Sequence, residues 1–169
     1  METLNQSLAD ELLKMAENDQ AMRMKAINGE ADWDSSVDEA NQTRLKEIVD
    51  KEGWPTIPRV GAEASHAAWL LVQHAPSLEF MERCLELMET LPNGEVSPAN
   101  IAYLKDRVLM MVGKPQVYGT QFQGSGKEMH VYPIESAEHV DERRSSVGLG
   151  TFAENEARLR ELYKVDDKK

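Results

Sequence analysis

The sequence predicts a mainly α fold, a compact bundle of about six to seven helices with one small β-hairpin near residues 115–134. Three observations carry that expectation. Apolar residues recur at three- and four-residue spacing over long stretches. Ser, Pro and Gly stand where such stretches start and stop. Late in the chain, one segment switches to alternation around a glycine turn.

Taken in order, residues 4–27 place Leu4, Leu8, Leu12, Met15, Met22 and Ile27 on one face of a long helix. Asp19 and Arg23 are stacked four apart on that helix, where a solvated ion pair is expected. "NGEADWDSSVDEANQ" reads as a loop ending in a helix cap near Ser35 or Ser36. A second helix, to about Lys51, carries Val37, Ala40, Leu45, Ile48 and Val49. "EGWPTIPRVG", with its two prolines, is expected to be a non-helical connector. Residues 62–75 form a buried helix broken by Pro76, and Ser77 caps the next, to about Leu91. Ser97, with Pro98 at the first helical position, starts a helix that Gly113 ends. Two short strands on either side of Gly124-Ser125-Gly126 follow, and because an isolated hairpin is marginal they must lie on the helical body. Helices through "ESAEHVDERRSSVG" and "TFAENEARLRELYKV" complete a single domain over residues 1–165, and residues 166–169 are expected to fray.

Charge narrows the function. Thirty acidic residues against 19 basic ones leave a net charge of −11, which argues against binding nucleic acid or an anionic membrane surface. No apolar run approaches the ~20 residues of a membrane span, and the amino terminus lacks the pattern of a secretory signal. The one cysteine, Cys84, rules out an internal disulfide and multi-cysteine zinc motifs, and its helical surroundings predict a small buried thiol. A cytoplasmic location is the expectation.

Three segments carry candidate chemistry. On the helix at 62–75, His66, Trp69 and Gln73 share one face, while His74 lies on a neighbouring one with Ala67, Leu70 and Leu71. Glu63 and His66 have Glu-x-x-His spacing, but a di-iron site needs a second such pair, and none occurs, so neither metal nor cofactor is expected. A histidine at a helix end is ordinarily satisfied by a backbone carbonyl. Beside Gln73 and beneath Pro76, His74 also makes a candidate pocket floor and general base. In "QVYGTQF", strand alternation sends Tyr118 and Thr120 to one side and Gly119 and Gln121 to the other, which suits either a ligand approach or a plain hairpin edge. In "VDERRSSVGLG", Asp141, Arg143 and Arg144 suit a surface ion-pair network first and an anion clamp second.

"GWPT", "AAWLLVQHA", "NIAYLKDRVLMMVGKPQVYGTQF" and "VDERRSSVGLGTFAENEARL", in this order, resemble DUF6624, a bacterial family of unknown function, over about residues 40–160. The resemblance implies no reaction. It singles out Trp69, Gln73 and His74, then Asp106 and Arg107, the run Tyr118 to Gln121, and the pair Asp141 and Arg144. The chain departs from the family pattern at "APSLEF" after His74 and within "GTFAENEARL".

Two functions follow as expectations. The leading one is a binding or accessory module whose acidic surface takes a basic protein partner. The alternative is an enzyme of hydrolase or transferase type acting on a small molecule or peptide. There His74, Tyr118 and Gln121 are catalytic, with His74 as general base, while Trp69, Gln73, Asp106, Arg107, Thr120, Asp141 and Arg144 bind ligand.

Overall fold

The computed structural model describes residues 3–124 and 128–162. The fold is mainly α, with eight α-helices among those residues and one two-stranded antiparallel sheet. The chain forms two compact units, Met1–Asn100 and Ile101–Lys169. No helix among the described residues is long and apolar enough to cross a membrane.

The first unit is built on α1 (Gln6–Ile27), α2 (Ser35–Glu52), α4 (Ala62–Gln73) and α5 (Leu78–Thr90). Asn5 caps α1 by accepting from the Leu8 amide, Asp34 caps α2 through Ser36, and Ser77 caps α5 through Phe80. Each cap satisfies an amide that the first helical turn leaves without a partner. The cap of α2 is thus one residue earlier than the serines suggested. α4 packs chiefly on α1 and also touches α2, α5 and the single turn α3 (Ile57–Val60). Its buried face offers Ala64, Ala67 and Ala68 before Leu71 and Val72, and side chains that small let a neighbouring helix approach closely. Leu12, Leu45, Val72, Cys84 and Met88 are sealed in this core.

The connector between α2 and α4 is not wholly irregular. Residues Ile57–Val60 make a single helical turn, α3, which was not expected from two nearby prolines. Proline costs nothing in a first turn, where its missing N–H would have had no acceptor, and Pro58 sits there.

In the second unit α6 (Pro98–Met111) ends where Gly113 takes φ +74° and the Lys114 amide reaches back to the Leu109 carbonyl at 2.9 Å. The sheet is shorter than the alternation predicted. Phe122–Gln123 (β1) pairs with His130–Val131 (β2), and Gln116 bridges Ile134 separately. Gly124 takes φ +78°, whereas Ser125 and Gly126 of the expected turn, and the tail at 166–169, lie outside the described residues. A 3-10 turn, Ala137–His139, then leads into α7 (Val140–Ser146), and α8 (Phe152–Leu162) follows.

Candidate functional site

In the first unit, the buried residues of α1 are Leu8, Ala9, Leu12, Ala16 and Asp19. A carboxylate therefore occupies the turn where the stripe calls for another apolar side chain. Asp19 is fully buried, and its Oδ2 lies 2.8 Å from Nδ1 of His74, the residue that ends α4. The same oxygen accepts from Gln20 Nε2 at 2.9 Å and from Arg23 Nε at 3.2 Å. The second guanidinium nitrogen reaches Asp38 on α2 as well as Asp19 Oδ1 at 3.4 Å. Arg23 also stacks on Trp33, its Cζ 4.6 Å from the ring centroid. The solvated pair expected for Asp19 and Arg23 is instead an enclosed cluster of two carboxylates, one guanidinium and one imidazole.

Arg23 Nε stands 3.0 Å from His74 Nδ1, so two bonding patterns compete. A bare nitrogen lone pair facing a carboxylate oxygen at 2.8 Å would be repulsive, so Nδ1 carries the proton and donates it to Asp19. The Arg23 proton then goes to the same oxygen, and the 3.0 Å approach is two donors converging on one acceptor. In a neutral ring this tautomer leaves the lone pair on Nε2, which no hydrogen bond engages among the described residues. The His74 side chain keeps 18% of its surface exposed. Its partner is therefore a buried carboxylate and not the backbone carbonyl ordinary for a histidine at a helix end.

Burial pushes the Asp19 carboxyl up, but the hydrogen bonds and charges of His74 and Arg23 outweigh it and hold Asp19 below the usual aspartate value. Asp38 moves the other way. Burial raises it, Arg23 offsets part of the rise and the nearby Asp19 charge adds to it. Next to His74, Gln73 is only 4% exposed, yet its Nε2 finds no partner among the described residues. On the same face His66 lies 4.7 Å from the half-buried Trp69, ring to ring, and its Nδ1 is 3.3 Å from Asn100 Oδ1.

In the second unit the singled-out polar residues gather around Asp106, which α6 presents fully buried. Its carboxylate accepts from the amides of Val117 at 2.8 Å, Tyr118 at 3.0 Å and Thr120 at 3.0 Å, and from the Thr120 hydroxyl at 2.9 Å. "YGTQ" is thus a loop wound over a carboxylate and not an alternating strand. Thr120 and Gln121 are both buried, and Gln121 Nε2 donates to Thr120 Oγ1 at 3.1 Å. Gly119 takes φ +66°, and a Cβ there would stand 2.8 Å from the Phe152 ring. Gln116 closes the loop from behind, its side chain taking the Gln121 amide and donating to the carbonyls of Gln121 and Tyr132.

Arg143 and Arg144 serve the backbone in place of the surface ion-pair network expected of them. Arg144 is buried and donates to Gly150 O at 2.6 Å and Tyr118 O at 2.8 Å, and burial lowers its guanidinium from the ordinary value. Arg143 donates to Val117 O at 2.8 Å and also reaches the carbonyls of Glu135 and Ser136. Asp141 accepts from the Phe152 amide at 2.7 Å, at the start of α8. Arg107 is half-buried on α6, and the hydroxyl of the half-buried Tyr118 makes no hydrogen bond among the described residues.

Sequence reasoning missed Asp19, Arg23 and Asp38 as partners of His74. The available signal was the interruption of an apolar stripe by an aspartate between Met15 and Met22.

Fold and site together define a mainly helical protein whose first unit holds a histidine against a buried carboxylate. A family model matches residues 6–168, and the chain belongs to that family, DUF6624, a family of unknown function. No curated protein and no solved structure matches it.

Proposed function

We propose that the protein is an enzyme of hydrolase or transferase type acting on a small molecule or peptide, with His74 as its general base. The observation that carries this reading is the 2.8 Å contact between His74 Nδ1 and the fully buried Asp19 carboxylate. Such a carboxylate orients the ring, selects the tautomer with its lone pair on Nε2, and stabilises the imidazolium formed when Nε2 takes a proton from water or a substrate hydroxyl. The surroundings suit that charge, because among the described residues Asp19 and Asp38 pair with one guanidinium, Arg23, and an imidazolium makes the cluster neutral. A fold gains little from this arrangement, since well-packed apolar side chains commonly replace a buried ion pair at no loss of stability. Beside the base, the unpartnered Gln73 amide supplies a donor for a substrate carbonyl; left empty-handed, it costs about 1–3 kcal/mol.

The test is chemical. Diethylpyrocarbonate acylates neutral imidazole, and mass mapping over the four histidines distinguishes them. His74 should react faster than His66, and Asp19→Asn should slow it. A panel of chromogenic acyl and phosphoryl esters should then show a turnover that His74→Ala lowers by about 10²–10⁴. Turnover untouched by His74→Ala removes the base from the reading.

A second reading, a binding or accessory module for a basic protein partner, has its own support. Asp106, Thr120, Gln121, Asp141 and Arg144 bond to one another and to backbone, the pattern of residues that hold a surface in shape. The net charge of −11 suits a basic partner. A defined basic protein bound equally by wild type and His74→Ala favours this reading. A cytoplasmic setting fits both, as the buried Cys84 thiol needs no partner.

A further inference from the structure

The end of α1 and the loop after it carry an apolar patch that the first unit leaves open. Met24 is 55% exposed, Ile27 74% and Trp33 52%. Single exposed apolar residues are ordinary, but these adjoin. Met24 and Ile27 are three apart on α1, and Ile27 shares with Trp33 a groove of about 600 Å³ that Glu30 and Asp32 also line. The indole is held in place by the Arg23 guanidinium, 4.6 Å from its centroid. Glu30 accepts only from the Asn28 amide, at 3.3 Å, and no lysine or arginine pairs with Glu30 or Asp32 among the described residues. Lys25 lines a neighbouring groove together with Asp32 and Asp34.

We propose that this patch is a docking surface for a basic, amphipathic segment of a partner protein. Its apolar side chains rest on Met24, Ile27 and Trp33, and its lysines or arginines meet Glu30 and Asp32. This deepens the second reading above and rests on it. The occupant follows from charge: two unneutralised carboxylates border the indole in a chain of net charge −11, so an acidic segment is repelled and a basic one attracted. Tryptophan and methionine are also enriched at protein interfaces, and tryptophan often anchors their centre, where a rigid ring buries much area at little entropic cost.

The experiment titrates the full chain with a synthetic amphipathic leucine–lysine peptide, followed by calorimetry and by tryptophan emission. Trp54 is buried and Trp69 half-buried, so the exposed Trp33 supplies most of the solvent-sensitive emission, and its share is the part that Trp33→Ala removes. Docking should shift that emission to the blue. Trp33→Ala should weaken binding about tenfold or more, and Glu30→Gln with Asp32→Asn about fivefold with a flatter salt dependence. All three positions are solvent-facing, so the variants fold. Equal affinity for wild type and both variants overturns the docking surface while leaving a binding module standing. A wild-type protein that ignores the peptide also overturns the docking surface, and the binding module then stands or falls on the basic-protein test above. Tight binding to phosphatidylserine vesicles that Trp33→Ala abolishes overturns the assignment to a protein partner.

Discussion

Replacing Asp19 by asparagine keeps the shape of the buried side chain and removes its charge. The amide oxygen can occupy the place of Oδ2 and still accept from His74, Gln20 and Arg23, at the 2.8, 2.9 and 3.2 Å seen for the carboxylate. The amide NH2 then faces only Arg23 Nη2, 3.4 Å from Oδ1. What is lost is the charge assistance of the His74 and Arg23 bonds, about 1 kcal/mol apiece, together with the long bond from Arg23 Nη2 to Oδ1, which the amide NH2 cannot accept. Two terms return part of this. An uncharged amide is cheaper to bury, and Asp38, freed of the Asp19 charge that pushes its carboxyl up, pairs better with Arg23. The expected net loss is about 1–2 kcal/mol, or a fall of roughly 0.5–1 M in the urea midpoint, read by circular dichroism near pH 7. The pH dependence carries the sharper test. Because Asp19 titrates below its unfolded value in the folded protein, its stabilisation is full above the unfolded pKa of about 3.9 and fades as pH falls through the folded pKa. The gap between wild type and variant should therefore narrow on acidification below about pH 4. No gap at neutral pH, or one that widens in acid, would refute the claim that a charged Asp19 holds the cluster.

Asp106→Ala should cost more, about 3–5 kcal/mol and a fall of roughly 10 °C in melting temperature, because the amide and hydroxyl of Thr120 lose their acceptor in a dry site. Hydrogen exchange at the Val117, Tyr118 and Thr120 amides should be slow in wild type and fast in the variant; fast exchange in wild type contradicts the loop staple. Cys84, whose thiol burial pushes up to about 12, should resist a disulfide reagent in the native protein at neutral pH and react once urea unfolds it. Rapid native labelling would mean that the helix around it opens.

Much of the helical framework was legible, because periodicity and capping are local. Leu8, Leu12, Leu45, Ile48, Val49 and Leu71 are buried where their spacing put them. Ser77 caps α5 for the same reason, by reaching three residues along its own helix. Two misreadings have one cause. In "VYGTQF" an alternating texture imitates a strand, but the amides of that segment bond to Asp106, at least eleven residues upstream, before any neighbouring strand can take them. Asp19 and Arg23 have the spacing of a surface ion pair, and although the stripe of Met15 and Met22 puts Asp19 on the inward face, nothing within four residues records which side chains another helix brings to it.

The chain by itself settles the long helices, most of their ends and the middle of each inward face, since each depends on interactions within about one turn; it misses the α3 turn, and it counts Leu4 and Ile27, which are 51% and 74% exposed, with the buried stripe of α1. It also settles the family, whose model matches residues 6–168. The meeting of His74 with Asp19, 55 residues away, arises only when the small face of α4 packs on α1 and delivers its carboxyl end to the break in the α1 stripe. The same holds for the binding of the "YGTQ" amides by Asp106. Desolvation decides these partnerships: once packing excludes water, a carboxylate must take whatever donors the neighbouring elements bring, and no local pattern records which those will be.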